Sequence, residues 1–172
     1  MLLKRAQLEG LSLLQKVCVD AYSLNFHHHW NPGGLEWYVE REFGVERLTS
    51  DLTNPTIEYY FINEKDAPVG FVKLRDVPYQ EHDQDGVFEL EKIYIHPDWK
   101  QNGIGKRALA EVIEMLKSRG KMALFLGVID TNQAAIAFYE KFGFRFHSKT
   151  RLDIPFFKEE LKGMNRMKLM LA

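Results

Sequence analysis

Leu90-Glu91-Lys92-Ile93-Tyr94-Ile95-His96-Pro97, followed by Lys100-Gln101-Asn102-Gly103-Ile104-Gly105-Lys106, is the stretch on which the fold turns. In a regular strand, alternate side chains share a face. Phe88 and Leu90 are in phase, and so are Ile93 and Ile95, yet the two pairs are one residue out of step. A β-bulge between them produces that slip. It frees peptide groups from their ladder, so an extended, amide-containing ligand can pair with the open edge as a further strand. The same residues also permit a plainer reading, a bulge that only bends the sheet.

Pro97 ends the strand, and the glycine-spaced loop runs straight into a helix. Leu109, Val112, Ile113 and Leu116 fall at i, i+3, i+4 and i+7, which marks one apolar helical face. Successive N–H groups at a glycine loop and a helix N-terminus make an anion site, favoured by the helix dipole. Gly103 and Gly105 remove the Cβ that would block a pyrophosphate, and Lys106 and Arg107 add charge. A lone Gly-x-Gly is often a plain turn. The dinucleotide fingerprint and the P-loop are both excluded, because their further glycines and the Lys-Ser/Thr pair are missing.

A third segment runs Asn132-Gln133-Ala134-Ala135-Ile136-Ala137-Phe138-Tyr139-Glu140-Lys141-Phe142-Gly143-Phe144. Ala135, Phe138, Tyr139 and Phe142 share a helical face, and Gly143 is a natural stop. In one reading Asn132 caps the helix and Tyr139 is core. In the other, the tyrosine hydroxyl serves a ligand, since a buried tyrosine needs a partner for its polar end.

Outward from these segments, the pattern predicts strands near Leu2–Arg5, Ile57–Asn63, Val69–Asp76, Val87–His96, Met122–Val128, Phe144–Ser148 and Met164–Leu171. Helices are expected near Glu9–Asn25, Leu35–Phe43, Val45–Leu52, Gly105–Arg119 and Asn132–Phe142. The strand–helix–strand unit should be parallel and right-handed, and the rest of the sheet should pair as hairpins. The expected class is α/β, a mixed, mostly antiparallel sheet with helices on both faces, in one domain over residues 1–172.

Composition sets outer limits. The 23 basic and 24 acidic side chains nearly cancel, so no concentrated basic face marks nucleic acid as a partner. No run approaches the roughly 18 apolar residues of a membrane helix, and the N-terminus develops no apolar signal region. The single cysteine, Cys18, forms no internal disulfide and reads as a small buried side chain. A cytoplasmic protein is expected. His27-His28-His29 invites a metal reading, but three consecutive helical residues point in different directions and lack a partner at ligand spacing; no metal is expected.

Bulged strand, loop and helix together resemble the GNAT superfamily of N-acetyltransferases. The likeness is specific over Glu89–Phe144, where the (Arg/Gln)-x-x-Gly-x-Gly/Ala loop and the Asn-x-x-Ala-x-x-Phe-Tyr-x-x-x-Gly-Phe helix stand in family order. One departure is Lys100, where the family loop opens with Arg or Gln; an ammonium cannot reproduce a planar two-donor contact. In the first half, Trp37-Tyr38, Phe43, Leu48, Leu52, Tyr59-Tyr60-Phe61 and Val69-Gly70-Phe71-Val72-Lys73-Leu74 look like the bacterial spermidine/spermine acetyltransferase branch.

The resemblance implies a GNAT fold whose bulged central strand is splayed from its parallel neighbour. It further implies acetyl-CoA as cofactor, bound by Ile93, Tyr94, Ile95, Lys100, Gln101, Asn102, Gly103, Ile104, Gly105, Lys106, Asn132, Ala135, Phe138 and Tyr139. A primary amine attacks the thioester directly. Alkylammonium groups titrate near 10, so a base is needed; Glu89 and Glu91 are the candidates. A backbone N–H at Ile93 or Ile95 would stabilise the oxyanion, and Tyr139 would serve the departing thiolate. The expected acceptor is a polyamine drawn to Glu36, Glu81, Asp83, Asp85 and His28 around the mouth, with Glu40, Glu42 and Glu46 nearby. A protein N-terminus or lysine, another small amine, or a non-catalytic CoA sensor are the alternatives. A monomer or homodimer is expected.

Overall fold

A computed structural model describes residues 1–77 and 85–172. Glu81 and Asp83, two of the expected acceptor residues, lie outside the described residues. The elements run β1 (Leu3–Arg5), α1 (Leu11–Phe26), α2 (Gly34–Phe43), α3 (Val45–Thr53), β2 (Ile57–Glu64), β3 (Ala67–Val77), β4 (Val87–Ile95), α4 (Ile104–Ser118), β5 (Ala123–Ile129), α5 (Gln133–Lys141), β6 (Arg145–Arg151) and β7 (Gly163–Met170). The first helix begins two residues later than its apolar pattern suggested. A single 3-10 turn at Leu8–Gly10 precedes it, and Gly10 stands at its N-cap.

The strands form one sheet in the order β1-β2-β3-β4-β5-β7-β6. Among the described residues only β4 and β5 pair in parallel, joined by a crossover through α4. β7 inserts between β5 and β6, so the chain's last strand closes the gap that a simple hairpin would not leave.

The sheet's two faces carry separate cores, which follow from strand alternation. Tyr60, Ile62, Val72 and Leu74 pack with Ile104, Leu109, Val112 and Leu116 of α4. Tyr59, Phe61 and Phe71 point the other way, against Leu14, Val17, Cys18 and Tyr22 of α1 and against Phe43 and Leu48. Cys18 is fully buried there, and burial pushes its thiol far above the ordinary range. It is a packing residue.

The register of β4 contains the predicted slip. Lys73 opposes Lys92 while Leu74 opposes Leu90, so Glu91 is the extra residue of a bulge. Leu90 and Ile93 consequently face the α4 core together, and Tyr94 faces the α1 core. Pairing with β5 stops at the same place: Val87 to Leu90 pair with Ala123 to Leu126, and nothing beyond does. Gly127 to Ile129 continue only with β7. The two parallel strands therefore part company at the bulge.

Gly70 explains how β3 stays close to the freed half of β4. A Cβ at this position would stand 2.3 Å from the Tyr94 carbonyl oxygen, so only glycine permits that approach.

Candidate active site

Where β4 leaves β5, its peptide groups have an open side. The His96 N–H donates to the Val69 carbonyl at 2.7 Å, and Ile95 lies opposite Gly70. Antiparallel alternation then turns the peptide groups of Ile93 and Ile95 away from β3, toward the place β5 has vacated. The Ile95 carbonyl accepts from Asn25 Nδ2 at 2.8 Å, which pins the end of α1 to this strand. The Ile93 N–H and C=O and the Ile95 N–H remain for an extended ligand. Tyr94 differs from its neighbours: its peptide belongs to the β3 ladder and its ring joins the aromatic packing, 4.7 Å from Phe26.

At the strand's far end, Gln101 and Gly103 both adopt left-handed backbone, with φ of 70° each. Gly103 caps α4, and the first intrahelical bond runs from the Arg107 N–H to its carbonyl at 3.1 Å. The amides of Ile104, Gly105 and Lys106 thus have no helical partner and point out of the N-terminus. Lys100 and Lys106 are exposed beside them, while Arg107 is paired with Glu64 at 2.8 Å. Together they make a patch of unpaired amides and positive charge, an arrangement suited to an anion.

A cleft of about 550 Å³ opens at the splay, within the range of small-molecule sites. Glu89 to Tyr94 form one wall, Leu126 to Ile129 another, and Asn132, Ala135 and Tyr139 of α5 a third. Asn132 caps α5 by accepting the Ala135 N–H at 3.1 Å. Tyr139 packs edge-on against Phe138 and Phe144, and among the described residues its hydroxyl makes no hydrogen bond. Burial pushes that hydroxyl up to about 12, so it keeps its proton at neutral pH and can donate it. Phe138 packs against the α4 core rather than lining the cleft.

The two candidate bases have acquired cations that the sequence did not announce. Glu89, 8% exposed, receives both terminal nitrogens of Arg166, one at 2.8 Å. Arg166 arrives from β7, a strand that mixes apolar residues with Asn165 and Lys168 and so gives no sequence signal that singles it out. Glu91 lies against Lys73 at 3.0 Å and Arg75 at 3.1 Å. Burial works against its charge, but Lys73 and Lys92, then Arg75, outweigh it and hold the carboxyl below the usual range.

Lys73 is wholly buried, with its ammonium 3.0 Å from both Asp51 of α3 and Glu91 of the bulge. Asp51 is also depressed: burial opposes the charge, and Lys73 and Arg47 prevail. Lys73→Met would strand two carboxylates without their shared cation, and should cost about 3–5 kcal/mol of stability near neutral pH. A depressed carboxyl stabilises the fold above its unfolded value and loses that contribution as pH falls through the folded value. The gap between wild type and variant should therefore narrow below about pH 4. Chemical denaturation at several pH values measures it; a gap that is small or flat with pH would contradict the ion chain's role.

The expected acceptor residues are not gathered at the cleft. Glu36 and His28 are exposed and do not line it; Glu42 and His29 do. Helical phase explains the first exchange, because six residues along α2 return a side chain to a different face. Asp85 stands before β4, at the opposite end of that strand from the splay. Glu42 itself is engaged by Lys92 at 3.3 Å and Arg47 at 3.7 Å. Sequence reading also missed the segment after β6. The isolated pairing of Trp30 with Phe157, and bonds from Asn31 N–H to Phe156 C=O and from Lys158 N–H to His29 C=O, fold it across the end of α1. It brings Leu152, Ile154 and Phe157 into the cleft. The apolar run Ile154-Pro155-Phe156-Phe157 was the available signal.

Comparison with known proteins agrees with this geometry. The spermidine N(1)-acetyltransferase of Thermoplasma acidophilum is 20% identical over 147 residues, covering 83% of this chain and 87% of that one. The ribosomal protein bS18 alanine N-acetyltransferase of Salmonella typhimurium is 42% identical, but over only 55 residues, 32% of this chain and 37% of the relative. A crystal structure of the PaiA N-acetyltransferase from Thermoplasma acidophilum in complex with coenzyme A shares the fold, with a TM-score of 0.75, 19% identity and coverage of 98% and 97%. The acetyltransferase (GNAT) family model matches residues 17–144, from the middle of α1 through the end of the α5 motif, and the chain belongs to that family of acetyl-CoA-dependent enzymes.

Proposed function

We propose that the cleft transfers an acetyl group from acetyl-CoA directly to a primary amine. The observation that supports this most is the coincidence of three features at one place: the parting of β4 from β5, the unpaired amides at the start of α4, and the Tyr139 hydroxyl. Ile93 and Ile95 would hold the pantetheine arm along their open edge, and the amides of Ile104 to Lys106 would hold the pyrophosphate. The amine nitrogen forms a C–N bond to the acetyl carbon while the C–S bond breaks. The ammonium gives up one proton to become the nucleophile and a second as the amide forms; Tyr139 gives one proton to the departing thiolate and is reprotonated, so one proton is released overall. The Ile93 N–H supports the oxyanion.

Both candidate bases line the cleft already ion-paired, Glu89 with Arg166 and Glu91 with Lys73 and Arg75, and either one, directly or through water, is the proposed acceptor of the amine's proton. A polyamine acceptor is the second reading, favoured by the relative that acts on spermidine.

Thiol release from acetyl-CoA tests the proposal. Release should require an amine, and initial rates with both substrates varied should give intersecting lines, as a ternary complex demands. Release without any amine, or parallel lines indicating an acetyl-enzyme, would contradict direct transfer.

A further inference from the structure

The side of the cleft away from α5 is a wall of rings. Phe26 lies 4.7 Å from Tyr94 and 5.1 Å from His29; Tyr38 lies 4.6 Å from Tyr22 and 4.9 Å from Trp30. Leu152, Ile154 and Met164 line the same cleft. His29 adds no charge, because burial first, and its histidine neighbours and Lys158 next, lower its imidazole to about 4.

The charges in the cleft balance locally. Glu42 meets Lys92, Glu89 meets Arg166, and Glu91 meets Lys73 and Arg75. Arg41, the remaining cation of the lining, lies 5.0 Å over the ring of Trp37. No lining carboxylate among the described residues is left for the second or third ammonium of a polyamine. Extra positive charges would enter beside five basic side chains, Arg41 and Lys92 in the lining and Lys73, Arg75 and Arg166 behind its carboxylates. Desolvating them without a counter-charge is costly.

We propose that the acceptor is a singly charged primary amine on a flat, apolar body, such as an arylalkylamine. This rests on the acetyltransferase reading above and names the class of amine. The ring system packs against Phe26, Tyr38 and Tyr94 and against Leu152 and Ile154, which line the same cleft and join the same apolar cluster. Offset or edge-on ring packing supplies contact beyond simple burial. The single ammonium approaches over aromatic faces, which attract a cation without requiring a carboxylate. Its nitrogen is thereby aimed at the edge of Ile93, opposite Tyr139.

The test is kcat/KM at saturating acetyl-CoA for 2-phenylethylamine, spermidine and an alanyl tripeptide amide. The wild type should prefer 2-phenylethylamine over spermidine by at least tenfold. Phe26→Ala and, separately, Ile154→Ala should each reduce that preference by at least fivefold, while the affinity for acetyl-CoA, measured by calorimetry, stays within twofold. Two positions far apart in the chain, one in α1 and one after β6, guard against one variant failing to fold. Faster turnover of spermidine or the peptide, or a preference indifferent to both substitutions, overturns the arylalkylamine assignment and leaves acetyl transfer standing. Absence of thiol release with all three amines overturns both.

Discussion

Tyr139→Phe should lower kcat by about 100-fold or more, the scale of general-acid contributions, while acetyl-CoA affinity barely changes. The substitution removes one oxygen and keeps the ring, so the edge-on contacts with Phe138 and Phe144 persist. The fold should be indifferent. The hydroxyl faces the cleft without a protein partner among the described residues, and burial keeps it protonated up to about pH 12. A donor in that state suits a thiolate that must be neutralised as it leaves. Presteady-state thiol release separates the chemical step from product release. If the chemical step proceeds at the wild-type rate in the variant, Tyr139 is a packing residue and the leaving group is protonated elsewhere.

Much of this architecture was legible because its signals are local. The slip between Leu90 and Ile93 is a matter of counting, and the structure places the extra residue at Glu91. The apolar stripe of α4 and the capping asparagine of α5 depend on neighbours three and four residues away. The partners of the strand carboxylates were illegible for the opposite reason. Arg166 reaches Glu89 from 77 residues along the chain, because β7 inserts beside β5. Lys73 reaches Glu91 across a β3–β4 pair whose register the bulge itself sets.

The acceptor side was the least readable part. An acidic tally over the early helices ignored phase, so it grouped exposed Glu36 with inward Glu42. It also ignored pairing: the carboxylates that reach the cleft arrive with cations attached. Meanwhile the aromatic residues Phe26, Trp30, Tyr38 and Phe157 come from two helices and two connecting segments, with no shared periodicity. Their convergence is a product of the tertiary fold, and only the structure reveals it.

The cofactor cradle yields the other large effect. Gly103 and Gly105 both stand at the head of α4, but they are not equivalent probes. Gly103 has a φ of 70°, so any side chain there strains the loop itself. Gly105 lies within the helix with ordinary backbone, and a Cβ would meet only the tip of Ile95 at 3.4 Å. Gly105→Val should therefore fold normally while crowding the amides of Ile104, Gly105 and Lys106 with branched carbons. A pyrophosphate could no longer approach them closely, and both hydrogen bonds and the helix-terminus field would be weakened.

Calorimetric titration of acetyl-CoA into wild type and Gly105→Val, with circular dichroism and melting temperature recorded for both, tests the location of the cofactor most directly. The account predicts matching spectra, closely similar melting temperatures, and a dissociation constant raised more than tenfold in the variant. An unchanged dissociation constant in a folded Gly105→Val protein would contradict it.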